Sequence, residues 1–358
     1  MTISIKSIRL LWLASVLFLN GITSGYAQFT KLSINTDVNI LASRNHKTNP
    51  IIDEQAVSQA YLQLATDIKI PESTKKDFNF LIVGDWGRNG AFHQQDVSNQ
   101  MNNYSAEYNA KFIVSTGDNI YDDGVKGVDD KLWKTSFEDI YSGTALQKDW
   151  FVTLGNHDYR GLAQAEVDYT KVSKRWKLPA RYYAIIRPIT GRDSALFIFI
   201  DTSPFVHKYH EESGHYGDIN AQDTTAQLRW IDSTLKTSNA RWKIVFGHHP
   251  VYSAGTKHGG TPELMSSLKP ILDKNKVEFF FCGHDHDLQH LKPTASAVDY
   301  IISGAGSETR DAGFIDGLSK FSNGESGFAM VSLKADNASV YMINYTGKLL
   351  YTMSKKPN

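Results

Sequence analysis

Five times in this chain an apolar run of strand length stops at a glycine, and the residues that follow can bind a metal. The stretches are FLIVGDWG (80–87), FIVSTGDNIY (112–121), FVTLGNHD (151–158), IVFGHHP (244–250) and FFFCGHDH (279–286). An apolar run bounded by glycine reads as a strand buried on both faces. Helix-like stretches lie between the runs, at 94–108, 128–141, 221–237 and 262–275. Strands alternating with helices predict an α/β fold with a largely parallel sheet, and ligands of such sheets gather at the carboxyl ends of the strands. All five turns are therefore expected on one edge of one sheet. LFIFIDTS (196–203) is a sixth strand of the same kind without the glycine. Further strands at 300–303, 328–335, 339–346 and 348–354, with turns at Asn337 and Gly347, are expected to complete a second sheet. The expected fold class is α/β, a sandwich of two sheets with helices outside.

The turns bring together Asp85, Asp118, Tyr121, Asn156, His157, His248, His249, His284 and His286. These are too many donors for one metal and a suitable number for two. Carboxylate and phenolate oxygens suit a hard or trivalent cation, whereas imidazole and a neutral amide oxygen suit a divalent transition metal. A shared carboxylate holds two ions about 3.5–4 Å apart, the separation used to activate water for attack at phosphorus.

The rest of the composition narrows the role. Lys plus Arg and Asp plus Glu number 38 each in 358 residues, which gives no support for nucleic-acid binding or for a membrane surface. Lys6 and Arg9 precede a short apolar run at 10–19, and Gly25-Tyr26-Ala27 offers small residues for cleavage. Residues 1–27 are expected to be a cleaved secretory signal, since the run is too short to span a bilayer. The mature chain is then exported, to a periplasm or the medium, with no stable membrane anchor. Residues 28–77 read as a polar extension ending in a linker, with one helix-like patch at 53–68, and 78–358 as the catalytic domain. The single cysteine, Cys282, excludes an internal disulfide and lies inside a strand, where it reads as a small buried hydrophobe.

The blocks GDWG, GDNIY, GNHD, GHHP and GHDH, in this order, resemble the five metal-binding blocks of purple acid phosphatases in the metallophosphoesterase superfamily. TSFEDIYS, KVSKRW, GHHPVYS and CGHDHDLQHL followed by YIISGAG are similar to the animal-type, tartrate-resistant (type 5) branch. The resemblance implies the calcineurin-like fold, a four-layer α/β/β/α sandwich of two mixed sheets flanked by helices. It also implies that Asp85, Tyr121 and His286 hold Fe(III), that Asp118 bridges, and that Asn156, His248 and His284 complete the site of a divalent ion, Fe(II), Zn or Mn. The expected reaction is hydrolysis of small phosphate monoesters by a metal-held hydroxide at acid pH; phosphoproteins or nucleotides are further candidate substrates, and a monomer the expected state. By the same resemblance Asn156, His157 and His258 contact substrate, and His157 and His258 assist catalysis. His258 stands one residue further from His248 than in the animal enzymes, and His249 sits where those enzymes carry an aromatic residue.

Tyr121 separates this reading from its nearest competitor. A phosphodiesterase or nucleotide-specific relative usually carries His two residues after the first Asp, where this chain has Gly87. Outside the blocks, Asp158 is expected to orient neighbours, Asp201 to support a strand end, and His207, His210 and His215 to be solvated in a long polar loop at 203–218. By analogy of position that loop is a candidate lid.

Overall fold

The computed structural model describes residues 69–358. The expected signal segment and the extension up to residue 68, including its helix-like patch, lie outside the described residues. The last part of the segment read as linker is packed: Glu72–Lys76 form a 3-10 turn, Ile70 is buried in the core, and Asn79 Nδ2 donates to the Thr74 carbonyl at 2.7 Å.

The strands are β1 (Phe78–Val83), β2 (Ile113–Ser115), β3 (Trp150–Val152), β4 (Trp176–Lys177), β5 (Tyr183–Thr190), β6 (Asp193–Phe199) and β7 (Trp242–Phe246). There follow β8 (Phe279–Cys282), β9 (Leu288–Leu291), β10 (Asp299–Ser303), β11 (Ser319–Asn323), β12 (Gly327–Leu333), β13 (Ala338–Asn344) and β14 (Leu349–Lys355). They form two seven-stranded sheets, ordered β14-β13-β12-β1-β2-β3-β4 and β11-β9-β10-β8-β7-β6-β5. Both sheets are mixed: β1, β2, β3 and β4 run parallel, as do β6, β7, β8 and β10, while β12 pairs antiparallel with β1.

This partition corrects two expectations. The five motif strands do not share a sheet: β1, β2 and β3 belong to one, β7 and β8 to the other. The tail strands β12–β14 do not build the second sheet but extend the first through the β1–β12 ladder. A strand buried on both faces carries no pattern naming its sheet, so hydrophobicity alone could not make the assignment.

Burial of β8 shows how each inner strand is held. Phe279 and Phe281 enter the layer between the sheets, while Phe280 and Cys282 pack on the other side with Leu264, Leu268 and Leu272 beneath the helices Pro262–Ser267 and Lys269–Lys274. Aromatic rings fill the layer between sheets, with Phe80 edge-on to Phe197 at 5.4 Å and Phe246 stacked on Phe281 at 5.5 Å. Truncating one such ring to alanine costs about 3–5 kcal/mol.

The helices are shorter than expected. Gln94–Glu107 and Thr224–Thr237 match two of the four predicted stretches, but 128–141 contracts to a six-residue π-helical turn, Trp133–Glu138, whose Trp133 stacks on Tyr169 at 3.7 Å. The loop at 203–218 is also more regular than its polarity suggested, with a 3-10 turn Ser203–Phe205 and a helix His207–Glu211. Among the described residues no helix is long and apolar enough to cross a membrane.

Candidate metal centre

Each motif turn is built from backbone that bends where the strand ends. Asp85, Asp118 and His284 have φ of 60°, 48° and 72°, the left-handed region that residues other than glycine seldom occupy. Hydrogen bonds between turns hold these conformations: Asp85 N–H donates to the Gly117 carbonyl at 3.0 Å, Gly283 N–H to the His248 carbonyl at 3.0 Å, and His284 N–H to Asp85 Oδ2 at 3.0 Å. The flanking glycines leave no room for a side chain. A Cβ on Gly155 would lie 2.2 Å from Asp118 Oδ1, and one on Gly283 2.2 Å from Asp85 Oδ2.

The result is a compact set of donors in two groups. Tyr121 Oη lies 3.1 Å from each of Asp85 Oδ1, Asp118 Oδ2 and His286 Nε2. His248 Nε2 lies 3.2 Å from His284 Nδ1, 3.3 Å from Asn156 Oδ1 and 3.4 Å from Asp118 Oδ2. Asp118 Oδ2 is common to both groups. His248 Nδ1–H donates to the Thr116 carbonyl at 2.9 Å, which fixes the tautomer and leaves Nε2 facing the cluster.

The chemistry of this donor set fits two cations. Asp85, Asp118, His248, His284 and His286 are all buried, so the cluster holds two carboxylates largely shielded from bulk solvent. Burial and the Asp118 charge push the Asp85 carboxyl well up, and burial with both carboxylates keeps the Tyr121 phenol far above its usual range. Burial works against a charge on His248, yet Asp118 and Asp85 outweigh it and push that imidazole up to about 9. Burial and three neighbouring histidines hold His284 neutral, and burial with Arg310 takes His286 down to about 2. Two acids calling for positive charge, beside two imidazoles that refuse a proton, make an arrangement that metal ions satisfy and protons do not.

The sequence profile of the calcineurin-like phosphoesterase family matches residues 78–288. Purple acid phosphatase 4 of Arabidopsis thaliana is 37% identical over 283 residues, 76% of this chain and 82% of that protein. Tartrate-resistant acid phosphatase type 5 of Homo sapiens is 32% identical over 295 residues, 76% of this chain and 89% of the human one. The chain belongs to the purple acid phosphatases. Among solved structures, GAP50, the anchor in the inner membrane complex of Plasmodium, superposes with a TM-score of 0.67 at 26% identity, covering 79% of this chain and 89% of that one. The yellow lupin purple acid phosphatase PPD1 shares the fold, at a TM-score of 0.59 and 14% identity over 78% of this chain and 53% of that one. As a purple acid phosphatase, the protein is a dimetal phosphoesterase and a hydrolase.

Around the donors of this purple acid phosphatase lies a layer that holds them in place. Asp158 Oδ1 accepts from Asn119 N–H at 2.8 Å and Oδ2 from Gly155 N–H at 2.8 Å, so it orients the turns bearing Asp118 and Asn156 as expected. Asn119 Nδ2 in turn donates to Asp158 Oδ2 at 3.0 Å and to Glu166 Oε2 at 2.9 Å. Burial and Asp118 raise the Asp158 carboxyl to about 7, and burial with Asp158 pushes the Glu166 carboxyl well up. Glu166, in the helix Ala163–Tyr169, escaped the sequence reading because nothing local marks a buried carboxyl. Trp86 escaped it too: its Nε1–H donates to Ser115 Oγ at 2.8 Å, and Ser115 bonds Asn119 Oδ1, so the indole braces the Asp118 turn.

His249 lies near His248 and His284, but both its nitrogens are taken, Nδ1 by Thr202 Oγ1 at 2.9 Å and Nε2 by Tyr209 Oη at 3.0 Å. It packs, and ties the helix His207–Glu211 to the centre. Asp201 accepts from Tyr159 Oη at 2.5 Å and its backbone N–H donates to Gln227 Oε1 at 2.9 Å, a strand-end role. His207, His210 and His215 lie outside the pocket lining.

Above the donors opens a pocket of about 580 Å³ whose walls include Asn156, His157, His258, His284 and His286. His157 Nδ1–H bonds the Asp122 carbonyl, which points Nε2 inward, 3.9 Å from Asp118 Oδ2. The structure also brings in His258, whose ring centre is 4.3 Å from that of His284 and whose Nε2 is 3.3 Å from Arg310 Nη1. The clamp is Asp285, which accepts from Ser253 Oγ and from the backbone N–H groups of His258 and Gly259.

Proposed function

We propose that the protein is an exported acid phosphatase acting on phosphate monoesters, with Fe(III) held by Asp85, Tyr121, His286 and the shared Asp118. The second ion, Fe(II), Zn or Mn, is held by Asp118, Asn156, His248 and His284. The observation that carries the proposal is Tyr121 Oη at 3.1 Å from two carboxylates and an imidazole, since three anionic oxygens at one position suit a trivalent ion. The second group has one carboxylate and otherwise neutral donors, which suits a divalent ion. The charged and apolar pattern of residues 1–27 supports export.

When bound, the ions polarise the phosphate oxygens and lower the pKa of water near phosphorus. The chain's own groups do the rest. His157 Nε2 faces the pocket beside Asp118 and can hand a proton to the departing alkoxide. Burial outweighs Asp118 and lowers its pKa, so the proton is present only on the acid side, which favours an acid optimum. Burial and the charges of Arg310, Lys257 and Lys208 bring His258 down to about 4. With Arg310 donating to its Nε2, a neutral His258 keeps Nδ1–H to offer a phosphate oxygen. The Arg88 guanidinium, centred 3.9 Å from the Tyr121 ring, covers the phenol face and counters its negative surroundings.

The test is a visible spectrum with metal analysis on one sample of the mature protein, and initial rates on p-nitrophenyl phosphate and its bis-ester. A visible band with iron and faster cleavage of the monoester is the expected result. Two zinc or manganese ions without colour refutes the ferric site, and faster cleavage of the bis-ester refutes monoester preference.

A further inference from the structure

Five cationic side chains line the pocket, Arg88, Arg160, Lys208, Lys257 and Arg310. Arg88 is neutralised by Asp122 at 3.1 Å and Glu308 at 2.9 Å. The other four form no ion pair among the described residues. Three of them surround His258 from separate elements. Lys257 precedes it in the loop that Asp285 clamps, Arg310 reaches it from the loop after β10, and Lys208 stands on the helix His207–Glu211.

Their placement is built. Arg310 N–H donates to the His286 carbonyl at 3.0 Å, and its own carbonyl packs so close to Gly324 that a Cβ there would come within 2.6 Å. Lys208 Nζ lies 5.1 Å from the ring centre of Tyr209, which is buried and bonded to His249 Nε2 at 3.0 Å. Arg310 feels the buried carboxylates of Asp285 and Asp287 but pairs with neither, and Lys208 and Lys257 have no ion pair among the described residues, so an anion entering between the three meets a concentrated positive charge that its arrival offsets. A single phosphoryl group would already be met by the two ions with His157 and His258, so these three exceed what one phosphate calls for.

We propose that Lys208, Lys257 and Arg310 form a second anion subsite beside His258, and that the favoured substrates are small esters carrying two phosphate groups on one scaffold. The inference rests on the phosphomonoesterase reading. One phosphate is cleaved at the metal centre: water adds to its phosphorus, the ester P–O bond breaks, the alcohol leaves with a proton, and inorganic phosphate is released. The other phosphate stays on the product and is held by the three cations.

The experiment compares fructose 1,6-bisphosphate with fructose 6-phosphate on the metal-loaded enzyme, as the ratio of kcat/KM values, in wild type and in Lys257→Gln, Arg310→Gln and Arg310→Lys. The ratio is expected to favour the bisphosphate by about tenfold or more in wild type, and to fall about fivefold for each cation removed. Arg310→Lys, which keeps the charge, retains most of it. A wild-type ratio near one, or equal losses on both substrates in the glutamine variants, overturns the subsite. If p-nitrophenyl phosphate and both sugar phosphates are left intact, the phosphatase reading fails. Calorimetric titration with the same two sugars then decides the subsite alone: tighter binding of the bisphosphate, lost in Arg310→Gln, supports it, and equal affinities overturn it.

Discussion

Replacing Gly155 by alanine adds one methyl group at the most crowded point of the centre. The new Cβ would stand 2.2 Å from Asp118 Oδ1 and 2.3 Å from the Asp118 nitrogen, where ordinary contact begins at 3.4 Å. Asp118 has nowhere to retreat: Oδ1 accepts from His157 N–H at 2.8 Å, and Oδ2 serves both donor groups. Something must shift by about 1 Å, and a displacement of that size in a reacting constellation costs about a hundredfold in rate. Forcing a methyl into packed structure costs about 1–3 kcal/mol of stability, which a core of this size tolerates. Gly155→Ala should therefore fold, with a lowered Tm, a deficit of bound metal and a kcat on p-nitrophenyl phosphate down about a hundredfold. Gly214→Ala is the control, because nothing lies within 4 Å of a Cβ there. A Gly155→Ala protein with wild-type turnover and full metal content refutes the reasoning.

Tyr121→Phe should fold, since the ring and its Arg88 contact at 3.9 Å remain, but lose the visible band and bind one ion more weakly, as read by absorption and metal analysis. The metal-free protein should lose stability as pH rises from about 7 to 9, above the range in which the histidines held neutral in the fold (His157, His258, His284 and His286) add stability with rising pH, followed by urea unfolding in chelator. His248, raised to about 9, contributes stability present below about 6.5 and lost as pH climbs through 9, and Asp287, raised to about 8, loses the rest of its contribution as pH passes that value. Saturating divalent metal should flatten the slope, and a metal-free protein equally stable at both ends would contradict these assignments. Glu166→Gln keeps an oxygen for Asn119 Nδ2 but removes an ionisable group pressed against Asp158, so it should match wild type at pH 5 and exceed it at pH 9 by about 1 kcal/mol or more, by the same unfolding measurement.

What could be read from the sequence was what is local. Each motif packs a buried strand, a glycine and a donor into about ten residues, so Asp85, Asp118, Tyr121, Asn156 and the histidines stood out, and their convergence followed from strand ends. Two features depended on distant partners and left no local mark. The β1–β12 pairing sets Phe80 opposite Val331, across most of the catalytic domain, and decides which sheet the tail joins. His258 enters the pocket because Asp285, remote in sequence, binds the backbone of its loop. Glu166 looked like any polar helix residue; only the fold buries it against Asn119 and Asp158. The contraction of 128–141 to one π-helical turn reflects Trp133 and Phe137 packing with Tyr169 and Trp176, a tertiary preference that overrode the helical spacing.

The split of the donors between two sheets makes the centre a rivet. Asp85, Asp118, Tyr121 and Asn156 ride on the ends of β1, β2 and β3, and His248, His284 and His286 on β7 and β8. Elsewhere the leaves are joined by aromatic contacts and by hydrogen bonds such as those of Tyr183 Oη with the β3 backbone; at this rim, ions would join them. Neither leaf owns a complete set, so no half of the chain can hold both ions, and loading waits until the leaves have met. Metal uptake then becomes a clock for the last event of folding, and metal loss the first opening of the seam.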